Sequence, residues 1–292
     1  MRLLCLLTLI WLMPLAHAAD YAWEPLGCCE GEIVKGDGKV KFAITLPVRI
    51  NGNACTAQLD TGANSGVNWH VDSDPGGART PMVIKALGKT MQVSGPVTAL
   101  AQMSEGKCSA DVIVSLGNGF FENGTLLLDL QKDRAAFIAK SALAEAVNAQ
   151  PFEYAQWSQG NTGGGHVIVE VQMPSGKMAY AMLDTGAASF GVSAFSAADW
   201  AELTSDAPLA ASDTVREYSV NMWGKPIRCF RMIAPGTVVL GRTLPVKQFH
   251  ASFCMQDAFK PGQKLVGLLG LRHFMGKVIT LDYLARRWTV TP

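Results

Sequence analysis

The chain has 292 residues, 49% hydrophobic and 17% charged, and its 25 basic and 24 acidic side chains leave a formal charge of +1. That balance offers no basic surface to steer it toward nucleic acid or acidic lipid, and the length suffices for one large domain or two smaller ones.

Arg2 is followed by an apolar run from Leu3 to Leu15 and then by Ala16-His17-Ala18. This is the order of a secretory signal peptide cleaved after Ala18, since the run falls short of the roughly 20 apolar residues a spanning helix needs. A lipoprotein would carry a cysteine at the processing site, and Cys28 lies beyond Asp20, Tyr21 and Glu24. The expectation is an exported protein, periplasmic or secreted, with no membrane anchor once the leader (1–18) and its one basic residue are gone. Residues 19–37 read as an N-terminal arm.

Next come two apolar, alternating runs joined by Asn51-Gly52, the pattern of a hairpin, and the second run ends in Leu59-Asp60-Thr61-Gly62-Ala63. The pattern returns at Ser175-Gly176 and Leu183-Asp184-Thr185-Gly186-Ala187, with the same spacing from glycine to aspartate (60 − 52 = 184 − 176 = 8). Leu116-Gly117 and Leu269-Gly270 stand twelve residues before Asp129 and Asp282 (129 − 117 = 282 − 270 = 12), and Arg134 and Arg287 follow at equal distance (134 − 117 = 287 − 270 = 17). The chain is therefore an internal duplication.

Between these landmarks the second half is the longer (117 − 60 = 57 against 270 − 184 = 86), so it carries an insertion. Ser196 as N-cap, Asp199 three residues on, and the apolar spacing through Trp200 and Leu203 predict a helix there. Short strands are expected at Val220-Asn221-Met222 and Ile227-Arg228-Cys229, around Gly224. The segment 141–165 reads as the connection between the halves, a short Ala-rich helix followed by a flexible stretch from Gly160 to Gly165. Gly163-Gly164-Gly165 precedes a strand rather than opening a helix, which argues against a phosphate cradle.

Of seven cysteines, Cys5 leaves with the leader, and the remaining six (7 − 1) are Cys28, Cys29, Cys55, Cys108, Cys229 and Cys254. An even number in an exported chain predicts disulfides. One bridge per half is expected, Cys55 to Cys108 and Cys229 to Cys254, out of about 15 pairings that sequence does not rank. The spacings are not C-x-x-C and no H-E-x-x-H is present, so neither a metal nor a cofactor is expected.

At the two Leu-Asp-Thr-Gly-Ala cores, and at the apolar-apolar-Gly segment clearest in Leu268-Leu269-Gly270 with Phe274 following, the chain resembles the aspartic peptidases. It is more similar to their retropepsin-like (retroviral-type) branch than to the pepsins, over most of residues 38–138 and 166–292. Retroviral enzymes pair two identical subunits; here the repeat implies that one chain supplies both halves, as in pepsins. The resemblance implies a mainly β fold of two retropepsin-like β-barrel lobes (38–140 and 166–292) related by a pseudo-twofold axis, with a few short helices. It implies an aspartic endopeptidase, acting as a monomer on a peptide or protein substrate, with Asp60 and Asp184 as the catalytic pair.

The chemistry suits the residues. Two carboxyls close enough to share a proton cannot both ionise, so the pair acts as base and acid together. By resemblance, Thr61 and Thr185 brace the two loops, Gly62 and Gly186 let them turn tightly, and Gly117 and Gly270 pack behind them. A flap over the substrate is expected at Gly88 or Gly224, unless these are ordinary surface hairpins. Ala63 and Ala187 stand where pepsins carry a hydroxyl. Losing that donor should raise the pair's pKa and predicts a mildly acidic to neutral optimum. The first half departs from the pattern at Ser115, where an apolar residue would precede Leu116-Gly117. His70, His166, His250 and His273 lack any serine or cysteine elbow and read as surface or structural residues. Trp69, Trp157, Trp223 and Phe190 read as core or subsite residues. The competing expectation is a catalytically silent peptide-binding or envelope-associated protein of the same fold. Two intact aspartates argue against it.

Overall fold

Asn51 and Gly52 both adopt positive φ (48° and 88°), so the chain reverses there and pairs Val40–Ile50 with Asn53–Leu59. The computed structural model describes residues 21–34, 38–70, 77–109, 111–156, 164–222, 225–255 and 265–292. The expected leader, Trp157, Gly160 to Gly163, Trp223 and the hairpin tip at Gly224 lie outside them. The protein is mainly β, with 50% strand and 8% helix, and its strands curl into a nearly closed, barrel-like sheet.

In the first half Val114–Leu116 runs parallel to Asn53–Leu59, and Val67–Trp69 lies antiparallel on its far side. The hairpin Arg79–Ala86 and Lys89–Pro96 adds to the other flank through Val40–Ile50. The second half repeats this path strand for strand. Gly267–Leu269 is parallel to Met178–Leu183, Val192–Ala194 is antiparallel beyond it, and the hairpin Thr237–Leu240 and Leu244–Lys247 joins His166–Gln172.

The insertion appears as three further strands beyond Val192–Ala194, in the order His250–Cys254, Lys225–Ile233 and Arg216–Met222. It also supplies the helix Ala197–Thr204, where the Ser196 hydroxyl accepts the Asp199 N–H at 3.1 Å and Trp200 and Leu203 are buried.

A third, six-stranded sheet takes strands from both halves. At its centre Thr125–Asp129 pairs antiparallel with Val278–Asp282, Thr125 opposite Asp282, Leu127 opposite Thr280 and Asp129 opposite Val278. Because Asp129 and Asp282 are equivalent in the repeat, this register maps onto itself when the halves are exchanged (129 − 125 = 282 − 278). The apolar core is continuous through the molecule, with Leu59, Phe120 and Leu126 in one cluster with Leu183, Leu269, Tyr283 and Trp288.

Cys55 pairs with Cys108 and Cys229 with Cys254, at Cα separations of 4.9 and 4.0 Å, while Cys28 and Cys29 are free. Two such bridges fit an oxidising, extracellular environment. No helix among the described residues is long and apolar enough to cross a membrane.

Two expectations are corrected. The Ala-rich stretch after Lys140 forms turns rather than a helix, because distant side chains claim its backbone. Ser141 Oγ and the N–H groups of Ala142 and Leu143 donate to Asp282 Oδ2, and Arg287 donates to the carbonyls of Leu143, Ala144 and Ala149. Gly164, expected in a flexible stretch, has φ of +80° and is pressed so closely on the Asn64 carbonyl that no side chain would fit. The tip at Gly88 is seated on the body of its own half. Leu87 is buried, and Lys89 Nζ donates to the Phe120 carbonyl and lies over the rings of Phe120 and Phe137.

Candidate active site

Each aspartate leaves the end of a strand and is pinned by the parallel strand beside it. The Asp60 N–H donates to the Leu116 carbonyl at 3.0 Å, and the Asp184 N–H to the Leu269 carbonyl at 2.9 Å. Each chain then turns back on itself, with Ala63 N–H donating to Asp60 O at 3.1 Å and Ala187 N–H to Asp184 O at 3.3 Å.

The threonines lock the two turns together. Thr61 Oγ1 donates to the Leu183 carbonyl (2.9 Å) and accepts the Thr185 N–H (3.0 Å). Thr185 Oγ1 donates to the Leu59 carbonyl (2.9 Å) and accepts the Thr61 N–H (2.9 Å). Both residues are fully buried, so each hydroxyl meets its donor and acceptor needs in the opposite half. Asn118, also buried, adds a brace by donating to the Thr61 carbonyl at 2.6 Å while accepting from Tyr283 Oη at 2.8 Å. The six-stranded sheet is thereby tied to the Asp60 turn.

Gly62 and Gly186 face each other's aspartates. A Cβ on Gly62 would stand 2.5 Å from the Asp184 carboxyl carbon, and one on Gly186 would stand 2.6 Å from Asp60 Oδ1. Glycine is therefore required for the carboxyls to come together. Gly117 and Gly270 back the turns, where a Cβ would strike the carbonyls of Ser65 and Ala63 in one half and of Ala187 and Phe190 in the other.

The two carboxyls share a hydrogen bond, and both aspartates are half-buried. Both titrate above their ordinary value of 3.8. Burial is the first cause for Asp60, opposed by the bond from Asp184, the backbone N–H groups of Gly62 and Ala63 and the charge of His70. For Asp184, burial, the Asp60 charge and the shared bond all push upward, against the N–H groups of Gly186 and Ala187. Two carboxyls this close favour a state with one proton and one negative charge between them. Such a pair can accept a proton from a water set between the carboxyls while donating another to a polarised carbonyl.

Two histidines approach this pair. His166, from the second half, meets the Gly62 backbone, and burial holds its imidazole down to about 4. His70 is near enough to Asp60 for each to feel the other's charge. His273 lies behind the second turn, where its Nε2 accepts the His250 N–H at 3.2 Å, and burial holds it to about 4. Phe190 packs with Val34, Tyr218 and the Cys229–Cys254 bridge, and Trp69 packs on Gly95. Nothing local in the sequence marked His70, His166 or Asn118, since their partners come from remote segments.

No protein-family model matches the chain, and no curated protein matches it.

Proposed function

We propose that the protein is an exported aspartic endopeptidase of retropepsin-like type, with two fused lobes (38–140 and 166–292) each contributing one aspartate to a cleft between them. The observation that carries this reading is the reciprocal bonding of Thr61 and Thr185, which holds Asp60 and Asp184 together despite the electrostatic cost of paired acids. A binding module has no use for two carboxyls raised in pKa by mutual burial.

In the reaction an extended peptide lies across the pair. A water held by both carboxyls loses a proton to the ionised one as its oxygen attacks the scissile carbonyl carbon. The protonated carboxyl gives its proton to the carbonyl oxygen. Collapse of the resulting diol breaks the C–N bond, passes a proton to the departing amine and returns the pair to its starting state. No covalent intermediate is required.

Activity needs one proton on the pair and one absent, and both groups are shifted upward, so the optimum is mildly acidic to neutral. A profile peaking near pH 1.5, about the lower pKa of the pepsin pair, overturns that expectation. The function is tested by incubating the mature protein with a diverse peptide library beside Asp60→Asn and Asp184→Asn. Cleavage by the wild type alone supports the reading. Binding without cleavage, or equal cleavage by all three proteins, rejects it.

A further inference from the structure

The Asp184 turn runs directly into the wall of a pocket. Ala187 N–H donates to the Asp184 carbonyl and Phe190 N–H to the Ala187 carbonyl at 3.0 Å. Ser189, Phe190 and Gly191 then form one side of the pocket, with Arg231, Ser252 and Tyr218 on the other. Arg231 and Ser252 stand opposite each other on neighbouring antiparallel strands, so their side chains leave the sheet on the same face. Ser252 is 4% exposed, and among the described residues its Oγ has no hydrogen-bond partner. Nearly all buried polar side-chain atoms are bonded, so one that lines a pocket marks a place for a polar ligand atom.

The charge of the pocket is positive. Arg231 is 9% exposed and lies against the Tyr218 ring, its guanidinium carbon 5.8 Å from the centroid. A guanidinium has five N–H donors, so one that is held within the protein still offers donors to a ligand. Arg272 joins the same side as the turn, its backbone N–H donating to the Phe190 carbonyl at 3.1 Å and its Nη1 to the Ser189 carbonyl at 3.5 Å. Burial holds the His250 imidazole, also in the lining, down to about 4, so the arginines carry the charge near neutrality. Burial and the Arg272 charge lower Arg231 to about 10, and a bound anion would offset both.

Shape narrows the ligand. The closed part of the pocket measures about 10 Å³, room for one oxygen-sized group. At Ile33 and Tyr218 it adjoins a hollow of about 480 Å³ lined by Val34, Val215 and Arg216, where Glu217 is held by Arg228 at 2.7 Å. A flat carboxylate can seat one oxygen there and leave its stem in the hollow, whereas a tetrahedral phosphate is too wide to enter. Beside Asp60 the parts are different. Gly119 takes the place of Arg272 in the repeat (119 − 117 = 272 − 270 = 2), and a Cβ on it would stand 2.7 Å from the Gly66 nitrogen. The strands that carry Arg231 and Ser252 belong to the insertion.

We propose that the pocket of Arg231 and Ser252 is a carboxylate subsite of the substrate cleft, favouring peptides that bring an acidic side chain or a free C-terminus to one side of the cleaved bond. The guanidinium and the Ser252 hydroxyl both donate to the carboxylate. An extended peptide crosses the aspartate pair from one half to the other, so a pocket built into one half reads one side of the bond. The effect on cleavage rests on the peptidase reading; the recognition of a carboxylate does not.

The test uses paired peptide libraries that differ only in offering Glu and Asp, or Gln and Asn, at the randomised positions, each made with free and with amidated C-termini. Cleavage by the mature wild type is read beside retention of the peptides on immobilised Asp60→Asn, whose second half is intact. Both should favour the carboxylate-bearing peptides by about tenfold or more, at one position relative to the bond. The amidated set tells whether side chain or chain end supplies the group. Arg231→Gln should bring the ratio close to one. Ser252→Ala removes a hydroxyl that bonds nothing in the free protein, so it should fold normally and lower the ratio several-fold. A ratio near one in the wild type, or an unchanged ratio in both variants, overturns the proposal. A preference that appears only in Glu32→Gln, next to Ile33 in the arm, gives the pocket to the chain's own carboxylate and also rejects it. If no form cleaves any peptide, the peptidase reading fails while retention still decides the subsite.

Discussion

The first half is the plain version of the repeat and the second is the elaborated one. Both thread the same six strands in the same order and sense, and both end one strand in an aspartate pinned by its parallel neighbour. The second adds three strands beyond Val192–Ala194, with a helix and a disulfide of its own, while the first adds only the short strands Gly27–Gly31, Met103–Ser104 and Lys107–Cys108, the last carrying the Cys55–Cys108 bridge. Additions are tolerated where an edge can be extended. The turns carrying the aspartates stay matched because each is built into the other.

The largest effect is expected at the matched positions: D60N and D184N should each lower kcat/KM by about 10³-fold or more, and a large difference between them would show that the halves do not contribute jointly. Next come the bridges. Replacing Cys55 or Cys229 by serine should cost about 4 and about 3.5 kcal/mol respectively at the upper limit of the chain-entropy argument, since the bridges span 53 and 25 residues. Urea unfolding reads both values.

Thr61→Val and Thr185→Val should each destabilise by about 2 to 4 kcal/mol, because each strands a buried carbonyl and a buried N–H across the junction. Additive losses in the double variant would rule out reciprocal bonding.

The smallest effects separate Asp129 from Asp282. Asp129 accepts from Gln131 N–H, Lys132 N–H and Arg134, all on its own turn. Asp282 accepts from Leu284 and Ala285 on its turn and also from Ser141, Ala142 and Leu143. Asp282→Asn should therefore cost about 1 to 2 kcal/mol, and Asp129→Asn less. Burial would raise the Asp282 carboxyl, but these bonds outweigh it and hold the pKa below 3.8. A depressed folded pKa contributes stability that is present above about pH 4 and lost as pH falls through the folded value. Unfolding measured across that range should show the acid loss shrink in D282N.

Local chemistry made the skeleton legible in the sequence. A turn glycine eight residues before each aspartate, a cap at Ser196 and equal spacings to Asp129 and Asp282 are short-range signals, and they located the hairpins, the inserted helix and the two turns. What escaped was decided at long range. The Ala-rich segment has a helical composition, but Asp282 reaches its N–H groups from 139 and 140 residues away. His70 reads as an ordinary surface residue until its partner 45 residues on is seen. Gly164 suggested a flexible linker, yet a glycine chosen for closeness and one chosen for freedom look alike in a string of letters.

The central pairing of the six-stranded sheet has a consequence for the isolated parts. A fragment ending after the Arg134–Ile138 strand would keep Thr125–Asp129 with one side unsatisfied, a fully buried stretch turned into a bare edge. Because Leu127 occupies the position equivalent to Thr280, that edge is complementary to itself. Two such fragments could meet in the native register, Leu127 against Leu127, and bring one Asp60 face to face with another.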